Sequence, residues 1–272
     1  MPAMYLCPLC QTPLILRDKQ YQCSGRHSFD LAKEGYVNLL PVQQKNSKDP
    51  GDNKEMMQAR RQFLEAGWYQ PLSDMVNRVI AELAPQTLLD LGCGEGYYSG
   101  RLAQVLPTTS QLYGIDISKA AIKYAARKYP ALQFAVASAY QLPFSNGNFD
   151  LVLRIYAPSQ PEQLQRVIKP QGYLVTVTPA PQHLVEIKQA LYQQVRLHPD
   201  TTEEIAGFLH LKRQRLSFTL QFEHPADLAN LIQMVPLAWK FTPELKAHFL
   251  ALSPAISLDF FIDIYQRQIT AN

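Results

Sequence analysis

The run Thr87-Leu88-Leu89-Asp90-Leu91 leads straight into Gly92-Cys93-Gly94-Glu95-Gly96, and a helical period begins at Tyr97. A short apolar run, a glycine-dense turn and a helix in that order constrain the fold more than any other feature of the chain. They form the opening unit of a sheet whose strands are joined by helices. The same alternation continues downstream. Apolar runs at 111–117, 133–137, 150–155 and 172–177 read as strands, with a helical period at 119–128 between the first two. Two helical periods, 55–66 and 72–83, precede the first strand. The last third differs in character: 215–222 and 258–269 read as strands and 225–234 as a helix, which suits an antiparallel pair closing one sheet edge. The fold expected is α/β with a mainly parallel sheet.

Glycines after the first strand let the backbone N–H groups approach a polar ligand without a Cβ in the way. A dinucleotide site would favour Gly-x-Gly-x-x-Gly beneath a pyrophosphate. Here the spacing is Gly92-x-Gly94-x-Gly96, preceded by Asp90. This resembles the first motif of the class I (Rossmann-like) S-adenosylmethionine methyltransferases. In that superfamily an acid ending the second strand takes the ribose hydroxyls, and Asp116 stands at the corresponding place. The segments Leu142-Pro143-Phe144 with Asn148-Phe149-Asp150, and Lys169-Pro170-Gln171-Gly172, resemble later motifs in the same order. One departure is Ala137-Ser138, where many relatives carry an acid for the adenine amino group; Ser138 is therefore a weaker cofactor candidate.

Cys7-x2-Cys10 and Cys23-x3-His27 form two close pairs near the N-terminus, and the fourth cysteine, Cys93, lies apart in the glycine loop. Three thiolates and an imidazole fill a tetrahedral Zn2+ site, so the expected metal is structural rather than catalytic. A segment this short needs such a staple; the competing reading is a redox pair with a spare cysteine. The polar run 43–54, with its Asp49-Pro50-Gly51 turn signal, reads as a linker. No stretch is long and apolar enough for a membrane span and no secretory leader is evident, so a cytoplasmic protein is expected. A net charge of +3 is too small to argue for a polyanionic partner.

With the cysteine head and the glycine loop together, the chain resembles the RlmA family, bacterial methyltransferases that modify N1 of a guanine in a hairpin of 23S ribosomal RNA. The resemblance also rests on Lys33-Glu34-Gly35-Tyr36-Val37-Asn38, on Met56-Met57-Gln58-Ala59-Arg60-Arg61, on Arg154-Ile155-Tyr156-Ala157-Pro158, and on 234–239. It implies a zinc-binding RNA-recognition domain over 1–36, a linker and helix over 37–70, and a methyltransferase domain over 71–272. It implies Zn2+ on Cys7, Cys10, Cys23 and His27. Cofactor contacts would come from Tyr69, Asp90, Gly92, Gly94, Glu95, Gly96, Asp116, Ser138 and His183. It further implies 23S rRNA as partner, a homodimer, and the guanine-745 rather than the guanine-748 type.

No catalytic base is identified; Tyr156 and Ser159 are the polar groups best placed after the fourth strand, with His183 a further possibility. For RNA contact, Lys33, Lys45, Lys48, Lys54, Arg60 and Arg61 gather around the linker, with Tyr36 and Trp68 as stacking surfaces. Two other readings compete. A small-molecule methyltransferase of the ubiquinone or malonyl-carrier kind shares the core motifs without the zinc head. A non-catalytic zinc protein on a methyltransferase fold would have lost transfer while keeping RNA binding.

Overall fold

A computed structural model describes residues 5–41 and 53–269. Most of the stretch read as a linker, including Lys45, Lys48, Asp49 and Asp52, lies outside the described residues. The head carries three short antiparallel strands, β1 (Ile15–Arg17), β2 (Gln20–Gln22) and β3 (Ser28–Asp30). Next comes β4 (Tyr36–Asn38), which leaves the head and pairs in parallel with a strand of the body.

Two helices follow, α1 (Lys54–Glu65) and α2 (Gln70–Leu83). The Asn53 side chain caps α1 by accepting the Met56 N–H at 2.8 Å. Ala84, in the left-handed region, stops α2. The body then alternates β5 (Thr87–Leu91), α3 (Tyr97–Leu102), β6 (Gln111–Asp116), α4 (Lys119–Lys128), β7 (Gln133–Val136), β8 (Phe149–Ile155), α5 (Pro161–Val167), β9 (Ile168–Pro179) and α6 (Val185–Leu191). It ends with β10 (Phe208–Leu220), α7 (Pro225–Met234), α8 (Pro243–Leu252) and β11 (Ile256–Arg267).

One eight-stranded sheet results, in the order β10-β11-β9-β8-β5-β6-β7-β4. From β4 to β9 the pairs are parallel, and β11 and β10 close the far edge antiparallel. All five residues of β5 are buried, as a strand covered by helices on both faces requires. The expected mixed sheet with its antiparallel edge is therefore present. Two strands outrun the reading. β9 starts at Ile168, because its first residues pair with Phe149 across an irregularity in the register. β10 starts at Phe208, where His210, Lys212 and Arg213 interrupt the apolar alternation of a half-exposed edge strand.

The chain crosses from one side of β5 to the other between β7 and β8, and a cleft opens beyond the carboxyl ends of the strands at such a crossing. The head packs directly onto the body. Leu6 N–H donates to the Pro143 carbonyl at 2.9 Å, and the Tyr5 ring meets those of Tyr113 and Phe144 at 6.0 and 5.2 Å. Tyr5, Cys7, Leu14, Cys23, Val37 and Leu39 share one apolar cluster with Tyr113, Phe144 and Phe149.

Candidate active site and metal centre

The three glycines after β5 all have positive φ: 75° at Gly92, 54° at Gly94 and 78° at Gly96. The reasons for glycine differ. A Cβ on Gly92 would stand 2.5 Å from the Ala157 Cβ, so the loop after β8 packs against it. A Cβ on Gly94 would meet nothing within 4 Å, so this peptide faces open space, as a cradle for a ligand requires. Gly96 caps α3 in the left-handed region.

Asp116, at the end of β6, bridges this loop and the next helix. Its Oδ2 accepts the Gly94 N–H at 3.0 Å and its Oδ1 accepts the Ser118 N–H at 2.8 Å. A carboxylate one strand from the loop is placed for the hydroxyls of a ribose. A glycine loop whose Gly94 has no atom within 4 Å of a would-be Cβ, with an acid beside it, thus fits the methionine and ribose parts of S-adenosylmethionine.

The residues expected to touch the cofactor differ in what their side chains already meet. Asp90 is 2% exposed, beneath the loop, and accepts the Ser99 hydroxyl at 2.5 Å. Burial, only partly offset by that bond, pushes its carboxyl up to about 7. Its side chain ties β5 to α3 from beneath the loop. The Glu95 carboxylate is taken by both arms of the Arg61 guanidinium, including Nε to Oε2 at 2.9 Å. Arg61 also lies over the Tyr124 ring at 3.8 Å, which fastens α1 across the loop. Ser138 lies in the turn after β7, and its hydroxyl accepts the Tyr140 N–H at 3.2 Å.

On the other side of the cleft, Tyr69 and His183 converge on Phe260 of β11, at ring distances of 5.4 and 4.7 Å. Both are buried. His183 Nδ1 accepts the Asp259 N–H at 3.4 Å, which leaves Nε2 as the protonated nitrogen of a neutral ring. Burial, and after it His198 and Lys188, brings this imidazole down to about 3. Tyr156, directly after β8, holds φ 53° and is half-exposed, its ring 6.2 Å from that of His183. Left-handed backbone is uncommon for a bulky residue and gathers at functional turns. Ser159 is not free to act as a base, because its hydroxyl accepts from the buried Arg154 at 2.8 Å.

The expected stacking surfaces are corrected as well. Tyr36 is buried in the cluster with Ile122 and Phe134, and the Trp68 ring packs against Phe222 at 4.9 Å. Arg60 donates to the Met234 carbonyl at 3.2 Å and Arg61 is held by Glu95. Lys33 and Lys54 are exposed.

In the head, Cys7, Cys10, Cys23 and His27 bring their ligand atoms within 4.8 Å of one another. Cys10 and Cys23 sulfurs are 3.6 Å apart, and His27 Nδ1 lies 3.4 and 3.5 Å from those of Cys7 and Cys23. Tetrahedral zinc with bonds of about 2.0–2.3 Å has ligand–ligand edges of roughly 3.3–3.8 Å, so the donor set fits. The Thr12 hydroxyl and N–H bring the Cys10 thiol down to about 7, toward the thiolate a metal binds. Four protein donors fill a tetrahedral zinc, and among the described residues no fifth joins the cluster, as in a structural centre.

Comparison with known proteins agrees with both halves. The family model of the RlmA N-terminal zinc ribbon matches residues 5–48, and that of a methyltransferase domain matches 84–218. The 23S rRNA (guanine(748)-N(1))-methyltransferase of Streptomyces fradiae is 34% identical over 92% of this chain and 91% of its own. The chain belongs to the 23S rRNA (guanine-N1)-methyltransferase family. Another relative, YxjB of Bacillus subtilis, is 32% identical over 87% of both chains. By contrast, the malonyl-[acyl-carrier protein] O-methyltransferase of Legionella pneumophila matches over 40% of this chain, at 34% identity. Members of the guanine-N1 family thus match head and body together. This member is an S-adenosylmethionine-dependent methyltransferase with a zinc ribbon, and among the described residues no helix is long and apolar enough to cross a membrane.

Proposed function

We propose that this protein transfers a methyl group from S-adenosylmethionine to N1 of a guanine in a 23S rRNA hairpin, at the 745 position. The observation that carries the reading is the full-length match to guanine-N1 enzymes combined with a zinc ribbon built into the methyltransferase core. The bound cofactor supplies an electrophilic methyl on sulfonium sulfur. Gly92, Gly94 and Gly96 would let the backbone approach it closely and Asp116 would offer a carboxylate, with Asp90 beneath the loop, Glu95 acting through its backbone, and Tyr69, Ser138 and His183 at the margins. The protein's task is then to bring a ring nitrogen into line with that methyl.

A base-paired guanine cannot offer N1, so the nucleotide is taken out of its pair. The half-exposed Tyr156 ring, beside His183, provides the apolar face on which an extruded base would rest. The zinc ribbon, held by Cys7, Cys10, Cys23 and His27, would position the hairpin, and exposed Lys33 and Lys54 would meet phosphates. A homodimer belongs to the same reading.

Mass mapping of 23S rRNA from a strain lacking the protein tests it. Loss of one methyl at a guanine N1, restored by the gene, is expected. Methylation at 748 would correct the position, and an unchanged rRNA would end the proposal. Sedimentation of the purified protein tests the dimer.

A further inference from the structure

Trp239 is 78% exposed, more than any other large apolar side chain among the described residues. Its neighbours in the chain are anchored. Leu237 and Phe241 pack against the main core on either side, and the Phe241 ring meets that of Phe249 at 5.7 Å. The short 3-10 turn Ala238–Lys240 is therefore fixed at both ends and turns its indole outward. Beside it lies a second ring. The Lys240 Nζ stands 4.9 Å from the Trp239 ring centre and 4.5 Å from that of Tyr192, which ends α6 and is 36% exposed. One exposed ring alone is ordinary on a protein surface. Two exposed rings bridged by one ammonium form a surface suited to flat groups that carry an anion beside them.

The topology puts this surface at the ligand end of the sheet. β10 and β9 both run antiparallel to β11, and Leu220, last in β10, stands opposite Ile256, first in β11. The chain between them, with α7, the 3-10 turn and α8, thus leaves and re-enters the sheet where β9 finishes, beyond the carboxyl ends of the parallel strands. Two contacts tie this region to the cleft. Arg60 of α1 donates to the Met234 carbonyl of α7, and its neighbour Arg61 holds Glu95 in the glycine loop. The loop after Tyr192 returns to the cleft at His198, whose ring is 6.3 Å from that of His183. Charge also favours an anion, since 192–199 and 234–242 carry Arg196 and Lys240 and no acid. The next acids along the chain, Asp200 and Glu244, pair with Arg213 and sit in the first turn of α8.

We propose, on the guanine-N1 reading above, that Trp239, Lys240 and Tyr192 form a docking surface for the single-stranded loop of the RNA hairpin. An unpaired base stacks on the Trp239 ring, the next nucleotide lies against Tyr192, and Lys240 meets the phosphate between them. Stacking on an aromatic face reads little sequence but selects unpaired nucleotides over duplex, the distinction needed by an enzyme that acts on an extruded guanine. Tyr156 takes the target base in that reading, and Trp239 takes a nucleotide farther along the same loop.

The test uses the full-length zinc-loaded protein, a 23S rRNA hairpin transcript and, as control, a blunt RNA duplex of the same stem, with affinities by filter binding over a range of salt. Trp239→Ala is expected to weaken hairpin binding by roughly 5–100-fold and to leave duplex binding and cofactor affinity within about threefold. Its melting should match the wild type, because the indole is exposed. Trp239→Phe keeps a stacking face and should restore most of the loss. Lys240→Met should reduce the log–log salt dependence by about 0.7, the share of one phosphate on a single strand, whereas Trp239→Ala should leave it unchanged. Unchanged hairpin affinity in Trp239→Ala would overturn the proposal. So would an equal loss on hairpin and duplex, which would show a contact to the backbone instead of to bases. A wild-type dimer that becomes a monomer in Trp239→Ala without RNA would assign the face to a second copy of the chain and overturn it too. Absence of guanine-N1 methylation by the wild type, beside a hairpin affinity that still depends on Trp239, would remove the functional reading and leave this surface standing.

Discussion

Replacing Asp259 by Asn separates the electrostatic support of the His183 turn from its packing. The carboxylate accepts from Arg215 at 2.8 and 2.7 Å, from Ser217 at 2.5 Å and from the Gln182 N–H at 3.0 Å. Burial alone would raise this carboxyl; Arg215, Ser217 and the Gln182 N–H outweigh it and hold the group at about 2, against an ordinary 3.8. At about 1.36 kcal/mol per tenfold change in proton affinity, that difference is about 2.4 kcal/mol. Arg215 is 45% exposed, so solvent screens the pair and about 1–2 kcal/mol is the expected loss near pH 7. The melting temperature would fall by about 3–6 °C.

The sign of the pH dependence follows from the lowered carboxyl. The contribution is complete above about pH 4 and is lost as pH falls through about 2. Denaturant unfolding of both proteins near pH 7 and near pH 2.5 measures it, since acid release of zinc affects the two alike. The gap between them is expected at the higher pH and should shrink by more than half at the lower. An equal gap at both would show that Asp259 acts by shape alone, and no gap at neutral pH would refute the electrostatic argument.

Three further outcomes follow from the geometry. Gly92→Ala places a methyl 2.5 Å from the Ala157 Cβ at φ 75°, so it is expected to lower stability by about 1–3 kcal/mol, read by thermal melting. Gly94→Ala meets open space, so its stability in the same melts should change by about 1 kcal/mol or less while calorimetry shows at least a roughly tenfold loss of S-adenosylmethionine affinity. Cys23→Ser, or zinc chelation, should release the metal, measured by elemental analysis. Because Cys7, Cys23 and Leu14 share a cluster with Phe144, either should also expose the Leu142–Phe144 turn to limited proteolysis. A head that sheds zinc while this turn stays protected would show that head and body fold independently.

The parts legible in the sequence are those where one physical demand selects the residue. β5 is covered on both faces and therefore reads as an unbroken apolar run, and Gly92, Gly94 and Gly96 each hold a φ that other residues resist. Cys7, Cys10, Cys23 and His27 stand in pairs because sulfur and imidazole suit a tetrahedral metal. Illegible features are those set by distant partners. β4 has three residues and finds its strand about a hundred residues later in β7, which no local pattern announces. Tyr36 and Trp68 look alike as stacking faces or packing rings until Phe134 and Phe222 cover them. Asp90 and Glu95 carry the charge of a ligand contact, and only the positions of Ser99 and Arg61 show that each also has a partner inside the protein.

The same long-range pairings bear on how the acceptor is presented. A head joined by a loose tether would raise the local concentration of RNA without orienting it. Here β4 hydrogen-bonds to β7, Leu39 N–H continues the pairing to the Val136 carbonyl at 2.9 Å, and Tyr5 sits among Tyr113 and Phe144. Farther along, α1 is fixed by Arg61 to Glu95 in the glycine loop and by Lys128 and Tyr124 to Glu65. Head, cofactor loop and α1 are thus held against one sheet by apolar packing and charge-assisted bonds. An RNA bound by the head would meet the methyl donor at an angle fixed by that packing. Loosening Tyr5 or Phe144 should therefore slow transfer with little change in cofactor affinity, an effect on orientation rather than on chemistry.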